Sequence, residues 1–148
     1  MSNRHVQSRL RTDTMLRSAF GPVICAALAD PSVVEIMQNP NGELWIERAG
    51  AGRESQGGVL TSEKSERIIR LIASLSGFDV TRERPIVSAE LPIGGQRFEG
   101  VMPPVTLQPS FAIRVPAARV FTLDEYVRSG TLSTEASTVL RDAVKTRQ

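Results

Sequence analysis

The sequence predicts an α+β fold, a mostly antiparallel sheet with helices packed against it. Three observations carry that expectation. Two apolar runs, Val33–Met37 and Glu43–Arg48, flank the turn Asn39-Pro-Asn-Gly42, whose Asn and Gly suit the positive backbone angles of a tight hairpin. Two apolar-polar alternations, Gln96–Met102 and Ser110–Val115, are bounded by Gly and Pro, the pattern of half-buried strands. Between these pairs, Ile68, Ile69, Leu71, Ile72 and Leu75 recur at the spacing of one helix face.

Taken in order, residues 1–10 read as a polar arm, disordered unless a partner orders it. From Thr12 to Leu28 the apolar residues Met15, Leu16, Ala19, Phe20, Val23, Ile24, Ala27 and Leu28 predict a helix. Gly21-Pro22 interrupts it, so the expectation is a kink, or two helices with Pro22 in the first turn of the second. In the hairpin that follows, Trp45 is expected to anchor the core. Residues 49–58 are glycine-rich and read as a loop from which a third strand emerges around Arg53–Leu60. Thr61 or Ser62 caps the next helix, Glu63 suits its positive end, and Gly77 stops it. On its polar side Arg67 and Arg70 are expected to be solvated.

Ile86–Leu91 reads as a strand that leads through the tight turn Pro92-Ile-Gly-Gly95 into the two alternations. Near the end, Thr122 with Glu125 three residues on spells a capping box, and Phe121 and Tyr126 stand where a hydrophobic staple closes. A last helix begins near Ser133 and carries Arg141, Lys145 and Arg147 towards its negative end. Its apolar edge has little left in the chain to cover it, which reads as a domain that is cut or continued.

At 148 residues the chain is one domain's worth. Its net charge is only +2, from 18 basic and 16 acidic residues, and no basic stripe of the kind strong nucleic-acid binders carry is visible. No apolar run reaches the roughly 18–20 residues that cross a bilayer, and the start does not read as a signal peptide. The single cysteine, Cys25, reads as a small buried apolar residue in a reducing compartment, and with only one histidine in the chain, His5 in the tail, a zinc site is excluded.

No catalytic constellation is visible: there is no GxxxxGK[ST], GxSxG or HExxH. AGAG at residues 49–52 lacks the ending and context of a phosphate loop. Glu35, Glu43 and Glu47 read as a solvated hairpin face. That leaves Arg97 and Arg114, both on predicted strands. A strand holds an arginine more rigidly than a loop does, and the planar guanidinium matches phosphate oxygens two at a time. The plainer readings are solvation, or pairing of Arg97 with Glu90 or Glu99.

The blocks VVEIMQNPNGELWIER, PIVSAELPIGGQRFEGVMPPV and FAIRVPAARVFTLDEYVRSGTLS, in that order, resemble the N-terminal domain of secretion ATPases, nearest the TrbB ATPases of conjugal transfer and their VirB-type relatives in type IV secretion. The most specific pieces are LPIGGQR at Leu91–Arg97, IRVP at Ile113–Pro116, and FTLDEYV at Phe121–Val127 with its trailing Gly130. The resemblance spans roughly residues 10–145 and implies a PAS-like domain over 11–130, then a linker helix over 131–148 leading to a RecA-like motor domain. It implies a tier in a hexameric ring of ATPase subunits, working with inner-membrane secretion or conjugation components. The location implied is cytoplasmic, with peripheral contact at the inner membrane, and no sequence-specific nucleic-acid binding. It also implies that arginines of this domain reach ATP at the domain junction; the matching positions are Arg97 and Arg114, with Arg119 as a third outside any comparably specific motif. The Walker A and B motifs of the motor are missing from these 148 residues, so the chain is not expected to hydrolyse ATP alone, and Mg2+ would enter only through the motor domain. The alternative is a stand-alone interaction or regulatory module that caps or inhibits such an ATPase without binding nucleotide. A PAS-type small-molecule sensor is a third reading, by fold analogy alone.

Overall fold

A computed structural model describes residues 3–116 and 120–146. The chain forms two compact units, Met1–Pro116 and Ala117–Gln148. The first holds α1 (Asn3–Ala29), β1 (Val33–Gln38), β2 (Glu43–Arg48), β3 (Gly52–Val59), α2 (Ser62–Leu75), β4 (Ile86–Glu90), β5 (Arg97–Val101) and β6 (Ser110–Arg114). The second holds α3 (Leu123–Arg128) and α4 (Thr134–Thr146). The unit boundary therefore groups residues 120–130 with the last helix, where the sequence alone suggested the sheet domain.

All five strand pairings are antiparallel, in the order β3-β2-β1-β6-β5-β4. The expected α+β class holds. One face of the sheet packs on α1 and α2: Ile36, Ile46, Phe98 and Ile113 meet Leu16, Phe20 and Ile24 from α1 and Ile68, Ile69 and Ile72 from α2. Burying a side chain of that size contributes about 1.5–3 kcal/mol, so this layer dominates the stability of the unit. Phe98 and Phe111 stack with ring centroids 5.6 Å apart.

Helix α1 starts at Asn3, which corrects the expectation of a polar arm through residue 10. Arg, Gln and Leu are good helix formers, and no Gly or Pro precedes Gly21, so the helix runs back past its packed turns with Val6 and Leu10 exposed. Apolar periodicity reports only the packed turns. The kink falls where expected: Gly21 has φ 78° and ψ 179°, a conformation open essentially to glycine alone, and Pro22 follows it inside the second helical stretch.

A second correction concerns Trp45. In β2 the buried residues are Leu44 and Ile46, which turns Trp45 to the opposite face, half-buried, with Nε1 donating to Glu43 Oε2 at 3.3 Å. Register across the hairpin, Ile36 opposite Ile46, decides which side chains face the helices, and size does not override it.

Thr61 caps α2, its hydroxyl accepting from the Lys64 N–H at 3.3 Å. Arg70 is tied down, donating to Glu66 Oε1 (2.7 Å) and to the Val80 carbonyl (3.0 Å). In the second unit the capping box is complete: Thr122 Oγ1 accepts from the Glu125 N–H, and Glu125 Oε2 accepts from the Thr122 N–H at 2.8 Å. The Phe121 and Tyr126 rings meet at 5.9 Å, and Arg141 of α4 pairs with Asp124 of α3 at 2.5 Å. Val139, Leu140 and Val144 of α4 are exposed. Among the described residues no helix is long and apolar enough to cross a membrane.

Candidate functional site

Arg97 opens β5 and Arg114 closes β6, so their placement depends on the segments that end there. Leu91 is buried and anchors the turn before β5. The Leu91 N–H donates to the Gln96 carbonyl at 2.8 Å, and the Gly95 N–H donates to the Leu91 carbonyl at 3.1 Å. The two glycines have separate reasons. The Gln96 side-chain amide fills the space a Cβ on Gly94 would need, and Gly95 sits at φ 69° with Glu90 Oε1 3.1 Å from where its Cβ would stand. The LPIGGQR segment thus delivers Arg97 to the first position of a strand. On β6, Ile113 is fully buried, which turns Arg114 to the face away from the helices. The Val115 N–H continues the ladder to the Val34 carbonyl at 3.0 Å, so Arg114 is held between β5 and β1.

The register brings the two arginines together. Arg97 lies directly opposite Arg114, and the row continues across the sheet: Glu90, Arg97, Arg114, Glu35, Glu47, Arg53. Directly opposed residues have Cβ atoms about 4.5–5.5 Å apart, so the two arginine side chains leave the open face of the sheet from neighbouring positions. Both are exposed, and among the described residues neither makes an ion pair. The simple pairing of Arg97 with Glu90 or Glu99 does not form: Glu99 Oε2 accepts from Ser88 Oγ at 2.7 Å. At the far end of the row Arg53 donates to Glu47 Oε2 at 2.7 Å, and that bond raises the Arg53 pKa above its ordinary value. Arg119 lies outside the described residues.

Sequence reasoning missed the row itself. Glu35 and Glu47 read only as a solvated hairpin face and Arg53 only as the start of a third strand, because the pairing of β1 with β6 joins residues nearly eighty positions apart and no local signal announces it. The strand parities, Ile36 and Ile113 inward with Glu35 and Arg114 outward, are the one clue the sequence carries. On the opposite side, α1 and α2 border an open groove of about 800 Å3 lined by Met15, Ala19 and Leu71 and by Glu63, Arg67 and Arg70.

No protein-family model matches the chain. A probable conjugal transfer protein TrbB from Sinorhizobium fredii is 44% identical over 142 residues, covering 96% of this chain and 43% of that protein. The type IV secretion system protein VirB11 of Bartonella quintana is 31% identical over 112 residues, covering 74% of this chain and 31% of the relative. The chain is a homologue of the TrbB and VirB11 proteins. The crystal structure of the VirB11 ATPase from the Brucella suis type IV secretion system, in complex with sulphate, superposes on this TrbB/VirB11 homologue with a TM-score of 0.69 at 28% identity. That match covers 86% of this chain and 38% of the Brucella protein, and the fold shared is that of the VirB11 N-terminal domain. The chain spans less than half the length of the curated relatives it matches.

Proposed function

We propose that this chain acts as the N-terminal, ring-forming domain of a TrbB-like traffic ATPase, with Arg97 and Arg114 contacting phosphates of ATP held mainly by a RecA-like motor domain. The observation that carries the reading is the cross-strand pair of exposed arginines, neither of which makes an ion pair among the described residues. Two neighbouring cations suit phosphate oxygens, and cations aimed at transferring phosphate stabilise the charge that develops on it. Homology to a type IV secretion ATPase supports the same assignment. In this reading α4 is the linker helix towards the motor domain, its exposed Leu140 and Val144 covered in the longer protein. Mg2+ enters through the motor domain alone. The partners are further ATPase subunits of a hexameric ring and the inner-membrane components of the secretion apparatus, at the cytoplasmic side of that membrane.

The test is ATP hydrolysis by the cognate motor domain while this chain is titrated in. The expected result is stimulation that Arg97→Ala or Arg114→Ala reduces by about a hundredfold, the scale on which removal of one preorganised charge contact acts. No stimulation, or dose-dependent inhibition of the intact ATPase, would replace the proposal with a stand-alone regulatory module.

A further inference from the structure

Two like charges placed directly opposite on a sheet destabilise each other. Arg97 and Arg114 are such a pair, and the residues next to them in the row are Glu90 on β4 and Glu35 on β1. The four charges run negative, positive, positive, negative across neighbouring strands. Beyond them Glu47 is committed to Arg53. Glu35 is half-buried beside it and, like Glu90, makes no ion pair among the described residues. The Glu90 carboxylate lies over Gly95, at the mouth of the turn that delivers Arg97.

We infer that Glu35 and Glu90 are selectivity residues: they bracket the arginine pair, cancel its long-range attraction for anions, and leave a site that only a ligand touching both guanidiniums at once, a diphosphate or longer, holds well. The inference rests on the reading that Arg97 and Arg114 take phosphate. With the four charges in line, the field a few ångströms above the sheet is close to neutral, so a single-phosphate ion arriving from solvent gains little. Direct contacts behave differently. Each guanidinium offers a planar fork at short range, where flanking carboxylates one strand away cannot substitute for the missing acceptor. The two side chains leave the sheet from Cβ positions about 5 Å apart, and a diphosphate offers a separate phosphate group to each fork where a single phosphate must share its oxygens between them. The carboxylates therefore suppress weak, unselective anion binding and spare the two-point ligand. They contact no phosphate themselves.

The experiment is isothermal titration of the full 148-residue chain, separately with pyrophosphate and with inorganic phosphate, at low salt. Glu35→Gln with Glu90→Gln keeps side-chain shape and removes both charges. That double variant is expected to bind both anions more tightly, by about tenfold for inorganic phosphate, and to show a narrower preference for pyrophosphate than the unmodified chain. The gain must disappear when Arg97→Ala and Arg114→Ala are added. Detectable binding only in the carboxylate variant, still dependent on the arginines, supports the inference equally. Unchanged or weaker binding by the double variant overturns it, as does a complete lack of binding by every variant. If the arginine variants bind both anions as the unmodified chain does, the phosphate reading of Arg97 and Arg114 falls too. Loss of binding in the arginine variants alone removes only the role given to Glu35 and Glu90.

Discussion

Asp30 fixes the entry into β1. Its Oδ1 accepts from the Ser32 N–H at 2.9 Å and from the Ser32 hydroxyl at 2.7 Å, and its Oδ2 accepts from Arg48 Nε at 3.4 Å. The Ser32 hydrogen bonds, and then Arg48, hold the carboxyl below its ordinary value of 3.8. A carboxyl depressed in the folded state stabilises the fold fully above its unfolded pKa, and that contribution is lost as pH falls through the lower folded value. Asp30→Asn is therefore expected to lower Tm at pH 7. The gap to the unmodified chain should close as pH is taken below the ordinary carboxylate range, about 3.9. Thermal scans of both proteins across that range check it, and a gap independent of pH would mean that the lost stability does not come from the ionised carboxylate. At this scale the sequence was readable where chemistry is local. Arg97 and Arg114 stood out because a turn motif and a strand alternation frame them. Trp45 did not, since Leu44-Trp45-Ile46 offers three apolar side chains in a row and only the partner strand settles which two point inward.

Helix ends were legible for the same reason. Thr61 and Thr122 cap their helices through bonds spanning three residues, so the sequence contains both partners. Thr122→Ala should lower the local stability of α3 by about 1 kcal/mol, the usual cost of a lost N-cap. Amide hydrogen exchange at Tyr126, whose N–H donates to the Thr122 carbonyl, and at Leu132, whose N–H donates to the Tyr126 carbonyl, would register it as roughly fivefold faster exchange in the second unit, with α2 unaffected. The start of α1 was hidden, because its first turns contribute helix propensity without an apolar face. The order of the strands was hidden more deeply. Hairpins β1–β2 and β4–β5 follow from short turns, but β1 beside β6 is a long-range pairing, and the charged row exists only once that pairing is made.

The sheet ends at β3 and β4, and the two edges differ. Along β3 only Gln56 is half-buried; every other residue is exposed, with Arg53 and Glu54 placed on the strand. Charged, glycine-containing edge strands resist pairing with a second chain. The chain alone is therefore expected to sediment as a monomer or weak oligomer at micromolar concentration. A stable hexamer in sedimentation velocity would contradict this. The placement of Trp45 has a practical consequence. It is the chain's one tryptophan, half-buried on the open face, in the row next to Glu47 and away from the helix-packed core. The protein thus carries an intrinsic fluorophore outside its own interior. Emission from that indole follows the polarity of whatever lies over the arginine-bearing face, so docking on this surface can be watched optically in the unlabelled chain.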